Sequence, residues 1–401
     1  MALLPVDEAL AILERAVPGP EGERIPWTQA LGRVLLEPAA AAWDDPPFCR
    51  SSMDGYAVRV AGAVQGATLP VASVLFAGDM PREPLSPGTA AKIMTGAQLP
   101  PGAEAVIPVE DTEALEDGSV RLLRGVKPGE NIRRQGENAR KGEVVFGPGR
   151  RLDALDVAAG NVLGIAAAVV AKRPTAKVVA TGSELCPPGS LPAPGAIVDA
   201  NGPLLASLLE EWGARVEGLV RVGDEEGALA AALGEGLAAD LLVVTGGVSA
   251  GDRDLVPALL RNLGATVLFH KVAMKPGKPI LLATAGKTVI LCLPGNPVSA
   301  FVGAHLFLNP AVRLMTGLPP RPWTRALLAR ERPRPQGPRT GFEPAVGLEE
   351  GKVALLPHRG SADLPAWREA AFLARIPGGS PPLPAGTALD VLPLGRGKER
   401  L

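Results

Sequence analysis

Cysteine is scarce in this sequence: Cys49, Cys186 and Cys292 are the only three in 401 residues. They are odd in number and far apart, which argues against a disulfide framework and suits a reducing cytoplasm. Aromatic residues make up 3% of the chain, with a single tyrosine, so the stacking platforms that hold single-stranded nucleic acid are not expected. Neither sign of charge prevails. Lys and Arg number 41 against 42 Asp and Glu, a formal net charge of −1, and such a chain does not seek polyanions. No apolar run approaches the ~20 residues that cross a bilayer, so no membrane partner is expected. The start, MALLPVDEALAILERAV, carries acids early and predicts a capped amphipathic helix over Val6–Ala16 rather than a signal peptide. The three histidines, His270, His305 and His358, are too dispersed to suggest a metal site. Patterns of the GxGxxG, HExxH and CxxC types are missing.

Hydrophobic residues (46%), glycine (48) and proline (42) are plentiful. The length exceeds what one core ordinarily serves and predicts several domains. After the first helix an extended segment runs to Trp43. From Pro46 to about Gly147 short β-branched runs alternate with Pro/Gly turns, the texture of a compact β domain. Helical periodicity returns over Arg151–Val170, with Asp153 placed to cap a helix. From Lys177 to about Gly317, short buried strands alternate with helical segments, which predicts a parallel sheet with right-handed crossovers. Pro320–Leu401 reads as a small β domain.

Ligands of such sheets sit beyond the carboxyl ends of the strands. In LLVVTGGVSAGDRD (241–254) the glycines allow positive φ and let several amides converge on an anion. Asp252 and Asp254 could hold a divalent metal or simply cap a tight strand-to-helix turn. In ATGSEL (180–185), Glu184 could take a metal or a ribose hydroxyl, or cap a turn. In LPGNPVSA (293–300), Gly295 permits a sharp turn, Asn296 and Ser299 offer polar handles, and Pro297 suits the first helical turn. In KVAMKPGKP (271–279), Lys271, Lys275 and Lys278 crowd toward the same edge and point to an oxyanion site rather than a solvated face. TAGKT (284–288) imitates the end of a nucleotide P-loop, but Leu281 stands where its first glycine belongs.

Together with PPFCRSSMDGYAV (46–58), IMTGAQLPPGAEAVIPVE (93–110), NIRRQGEN (131–138) and IVDANG (197–202), these segments occur in an order that resembles the molybdopterin molybdenumtransferase family. They are also similar to the E domain of gephyrin. The resemblance covers essentially the whole chain and is weakest at its C-terminal end. It implies a multidomain α/β fold: an extended and helical dimerisation domain (1–46 and 148–174), an inserted β domain (47–147), a central molybdopterin-binding-type α/β domain with a mostly parallel sheet (175–318), and a small C-terminal β-barrel domain (319–401). The implied activity inserts molybdenum from molybdate into adenylylated molybdopterin, releases AMP and requires Mg²⁺.

Carried over residue by residue, the resemblance assigns catalytic roles to Asp54, Thr95, Glu184, Asp199, Asp240, Lys271, Lys275 and Lys278. Asp240 could equally sit in a surface helix-to-strand turn, Asp54 in an Asp-Gly turn, and Thr95 at a cap. Thr181, Gly182, Gly246, Gly247, Ser249, Gly251, Pro294, Gly295, Asn296, Pro297, Arg133 and Ser361 would bind the cofactor, and Asp252, Asp254 and Glu184 the metal. Arg133 and Arg134 could attract the anionic ligand or remain solvated. Asn138 stands where the family often has an acid, Cys49 and Arg50 replace polar residues, and PHRGSADLPAW (357–367) matches only in part. The resemblance further implies a homodimer, other molybdenum-cofactor synthesis proteins as partners and a cytoplasmic location. The competing expectations are an adenylyltransferase that makes the adenylylated intermediate, and a non-catalytic cofactor carrier or scaffold. Charge and size do not separate molybdate from tungstate.

Overall fold

The computed structural model describes residues 3–248 and 255–395, and its chain divides into two compact units, Met1–Glu23 with Ala171–Leu401, and Arg24–Val170. The first unit is organised on a six-stranded sheet. Its order is Arg215–Val222, Thr175–Thr181, Leu241–Thr245, Thr288–Leu293, Leu281–Ala285 and Thr266–His270. The first four strands are mutually parallel. Leu281–Ala285 runs antiparallel to both of its neighbours, so the sheet is mostly parallel, as expected, with one reversed strand. The cause is local. Gly286 takes φ +56° and lets Ala285 pair directly with Thr288, a tight hairpin made by the very TAGKT segment that imitates a phosphate loop.

The central strand, Leu241–Thr245, is buried along its whole length, and its side chains alternate between two cores. Leu241 and Val243 pack with Leu205, Leu209, Phe301 and Phe307. Leu242 and Val244 pack on the opposite face with Leu229, Leu233 and Leu260. The N-terminal helix forms over Val6–Ala16 as its periodicity predicts, with Val6, Ala9 and Leu13 turned into the first of these cores. The helical run Pro297–Met315, 19 residues long, is apolar enough to cross a membrane by length and composition, contrary to the reading that no such run exists. It is an interior element: 83% of its window is buried. Cys292, at the centre of the sheet, is fully buried, and desolvation pushes its thiol well above the ordinary range, leaving an unreactive filler.

The C-terminal strands close on themselves. Thr340–Leu348 pairs with both Lys352–Leu355 and Phe372–Ile376, and Thr324–Leu328 and Ala388–Pro393 complete a five-stranded barrel. Closure leaves no strand edge open within the ring.

The second unit contains a six-stranded sheet, in the order Ala105–Pro108, Gly55–Val58, Ala90–Ile93, Thr68–Leu75, Ser119–Leu122, Thr112–Ala114. A separate core gathers Trp27, Leu35, Phe146, Leu152 and Val170. The helix Ala154–Val162 starts as expected at Asp153, within a reciprocal capping box: Asp156 N donates to Asp153 Oδ1 (2.9 Å) and Asp153 N donates to Asp156 Oδ2 (3.1 Å). Arg150 grips the same Asp156 carboxylate through Nε (2.8 Å) and Nη2 (2.7 Å). One turn on, Gly160 leaves room for the Trp27 ring, whose Nε1 donates to Val157 O at 3.0 Å.

Two outcomes follow. A β-carbon on Gly160 would stand inside the Trp27 indole, so Gly160→Ala is expected to destabilise the second unit by about 1–3 kcal/mol, read by denaturant unfolding. The Arg150 guanidinium holds the buried Asp156 carboxyl below its ordinary range. Its contribution is therefore complete above the unfolded-state pKa of about 4 and is lost as pH falls through the lower folded value. Asp156→Asn should cost about 1 kcal/mol at pH 7, and the gap from wild type should close on acidification; a gap that persisted at low pH would contradict this account.

Candidate active site

A cleft of about 690 Å³ opens beyond the carboxyl ends of the parallel strands of the first unit. Three of the loops singled out in the sequence meet there. Thr181, Gly182 and Glu184 come from the first, Gly246 and Gly247 from the second, and Pro294, Gly295, Asn296 and Pro297 from the third. Asp199, Ala200 and Asn201 supply a further wall from the segment that leads into helix Asn201–Trp212.

Backbone proximity is what shapes the floor. Gly246 takes φ +94°, and a β-carbon there would collide with the carbonyl of Thr181. Only glycine meets both requirements. Gly246 N donates to Leu293 O at 3.2 Å, and Gly182 N to Val222 O at 3.1 Å, so the loops are stitched strand to strand below the opening.

The acids of the cleft differ in how far they are committed. Asp199 is 2% exposed. Its Oδ2 lies 3.1 Å from Arg221 Nε and its Oδ1 accepts from Gly202 N at 2.9 Å, so this carboxylate already serves an ion pair and a helix start. Asp224, which the motif reading missed, also lines the cleft. It accepts from Ser183 N (3.3 Å), Ser183 Oγ (3.2 Å) and Thr181 Oγ1 (3.4 Å). Its position two residues past strand Arg215–Val222, at the edge where Thr181 and Thr245 end their strands, was the available signal. Glu184 is exposed, folds over Gly182 and has no side-chain partner among the described residues.

Asp240 has to be removed from the site. It precedes strand Leu241–Thr245 and therefore lies at the amino edge of the sheet, a full strand length from the cleft. There its Oδ2 accepts from Thr175 N and Thr175 Oγ1, both at 2.8 Å, a clamp between two strand starts. The turn alternative is the one observed.

The lysine loop leaves strand Thr266–His270 at the same edge as the cleft, and His270 Nε2 lies 3.2 Å from Val248 O. Its backbone is anchored on both sides. Ala273 N donates to Leu4 O (2.7 Å), Thr340 N donates to Ala273 O (3.0 Å), and Met274–Lys275 pairs with Thr340–Gly341. Pro279 reaches the cleft wall. Lys275 and Lys278 are exposed and Lys271 is half-buried with φ +75°. None of the three has a carboxylate partner among the described residues, so their charges remain available to an anion. Ser361 contributes its carbonyl, which accepts from Val298 N at 3.1 Å, and Ala362 beside it lines the cleft.

The second unit assembles its own constellation from three motifs. Gly96 N donates to Ser51 O (2.8 Å), Ser51 N to Ala97 O (3.0 Å) and Ser52 N to Asn131 O (3.0 Å). Asp54 Oδ1 accepts from both Thr95 N and Thr95 Oγ1 at 2.7 Å. These bonds hold the Asp54 carboxyl below its ordinary range, and it stays ionised. Arg133 pairs with Glu137 at 3.1 Å on the surface. Asn138 donates to Asp45 Oδ2 at 2.8 Å, which gives the amide at this position a structural task an acid could not perform.

Ser249, Gly251, Asp252 and Asp254 lie outside the described residues. Among the described residues no three His, Cys, Asp or Glu side chains gather to hold a metal ion.

Comparison with known proteins agrees with this architecture from end to end. Residues 4–164 match the family described as "MoeA N-terminal region (domain I and II)" and residues 177–314 the family described as "Probable molybdopterin binding domain". The chain is 34% identical to the molybdopterin molybdenumtransferase of Bacillus subtilis, over 97% of this chain and 94% of that one. It is 37% identical to molybdopterin molybdenumtransferase 2 of Mycobacterium tuberculosis, over 92% and 94%. The crystal structure of the molybdopterin biosynthesis MoeA protein of Pyrococcus horikoshii superposes with a TM-score of 0.84 at 28% identity, covering 98% of this chain and 99% of that one. On its order of motifs, its fold and its near full-length similarity, the chain belongs to the molybdopterin molybdenumtransferase family, enzymes of molybdenum-cofactor biosynthesis.

Proposed function

We propose that this protein inserts molybdenum from molybdate into adenylylated molybdopterin, releasing AMP, with Mg²⁺ required and tungstate left as an alternative oxyanion. The observation that supports this reading most directly is the glycine-lined floor of the cleft, with Lys271, Lys275 and Lys278 on a loop that leaves the sheet at the same edge and without carboxylate partners among the described residues. The substrates are doubly anionic in character: a phosphate-linked nucleotide and a tetrahedral oxyanion. The Gly247 amide suits the first, since a peptide floor free of β-carbons allows close approach. The lysines suit the second, as mobile point charges with several donors each.

Breaking the phosphoanhydride requires charge to be neutralised on the departing AMP, and no covalent nucleophile is called for. Mg²⁺, when bound, would supply part of that neutralisation. Glu184 is placed to orient it, because it alone among the acids lining the cleft has no side-chain partner among the described residues. Asp224 would hold Ser183 and Thr181 in place beside it. Asp54 and Thr95 belong to the proposed machinery through the family resemblance and through their mutual clamp, with Arg133 beside them in the same motif group. The homodimer, the division into four domains and a cytoplasmic location are parts of the same proposal.

The test uses the full-length protein, adenylylated molybdopterin and molybdate, and measures AMP release with and without a chelator. Molybdate-dependent release that stops on chelation is expected. Consumption of ATP and free molybdopterin instead would identify an adenylyltransferase, and tight binding without release a carrier. Lys275→Ala and Glu184→Gln should each lower AMP release on the order of a hundredfold with the far-ultraviolet circular dichroism unchanged. Full activity in both variants would remove these residues from the mechanism.

A further inference from the structure

We propose that Asn201 is a positioning residue: from the wall of the cleft it holds the loops at Gly246–Gly247 and Pro294–Asn296 at the one spacing from which both can meet a single ligand. The inference deepens the functional reading above and, for its activity readout, rests on it.

Asn201 is the first residue of helix Asn201–Trp212 and is 8% exposed. Both protons of its amide are engaged. Nδ2 donates to Thr245 Oγ1 at 2.9 Å and to Gly295 O at 2.8 Å. Thr245, 2% exposed, passes its own hydroxyl proton to Pro294 O at 3.3 Å. A carbonyl only accepts, so Gly295 O dictates which way the amide faces, and the orientation of the whole network follows.

The bland account is that a buried asparagine simply satisfies nearby backbone. Two features go further. The anchored groups, Thr245 and Gly295, both line the cleft themselves, whereas the anchor belongs to a helix locked by Leu205, Leu208, Leu209 and Trp212 in the core. A rigid element thus fixes two glycine-bearing segments through a single side chain. The ties between the strands that lead into those segments, the pairing of Thr245 with Leu293 and the bond from Gly246 N to Leu293 O at 3.2 Å, are backbone to backbone. They link the loops to each other but not to the helix or to the Asp199–Asn201 wall. The other feature is that Asn201 Oδ1 is buried with no partner among the described residues. A group kept for packing alone would not leave an acceptor unsatisfied there, because an apolar side chain of similar volume would avoid that cost.

The test compares wild type, Asn201→Leu, Thr245→Val and Thr245→Ser by two readouts. One is molybdate-dependent AMP release, resolved into kcat and KM. The other is hydrogen exchange, without ligand, in peptides spanning Gly246–Val248 and Gly295–Asn296. Asn201→Leu and Thr245→Val are expected to lower kcat on the order of tenfold to a hundredfold, as sub-ångström to ångström misplacement does, and to speed exchange in those two peptides alone. Thr245→Ser keeps the hydroxyl and should restore both. A lower melting temperature with kcat and loop exchange unchanged would overturn the proposal in favour of a purely structural role. Should Asn201→Leu fail to fold, the contrast between Thr245→Val and Thr245→Ser decides. Wild type without AMP release would refute the functional reading, and loop exchange would still decide this one: unaltered exchange in Thr245→Val overturns it.

Discussion

The carbonyl of Thr181 stands where Gly246 would otherwise carry a β-carbon, and much of the site depends on that one close approach. Parallel strands lie roughly 4.8 Å apart, and their loops must turn within that spacing to enclose a ligand. Here the loop after the central strand crosses above its neighbour with no side chain between them. The positive φ of Gly246 and Gly247 turns peptide groups, rather than side chains, toward the cleft. A floor built in this way presents a fixed set of dipoles that no rotamer change can withdraw.

The same sheet explains why polar groups concentrate at the edge. Its central strands are covered on both faces, so they carry apolar residues throughout, and charge can appear only where they end. At the amino edge that charge is used structurally, as in the clamp of Asp240 on Thr175. At the carboxyl edge, Asp199 and Asp224 are tied into ion pairs and hydroxyl bonds, while Glu184 and the three lysines have no such partners among the described residues. Committed groups set the geometry, and uncommitted ones remain for a ligand.

Local signals made much of this legible. The helix Val6–Ala16 follows from its apolar spacing, the start of Ala154–Val162 from Asp153, and the edge at which the loops gather from the alternation of strands and helices. What escaped the sequence depends on partners remote along the chain. Asp240 and Asp224 both flank strands, and only the direction of the strand separates the end that carries the site from the end that does not. Asn201 lay inside a motif that drew attention to Asp199, yet its partners are 44 and 94 residues away. The hairpin at Gly286 reversed one strand, which a pattern of alternating elements does not register. Asn138 looked like a departure from family chemistry until its bond to Asp45 gave the amide a task of its own.

The cleft also has an apolar side, and this bears on the shape of what it can hold. Ile197 and Val198 are 55% and 39% exposed, yet they sit on a two-residue parallel strand pair with Leu185–Cys186, and with Leu185 they line the cleft opposite the Pro294–Pro297 loop's wall of turns. Peptide dipoles answer to an anionic group, and an aliphatic shelf answers to an apolar surface. A ligand with one kind of surface alone would leave half of this cleft unsatisfied. One that joins an apolar surface to an anionic group would satisfy both.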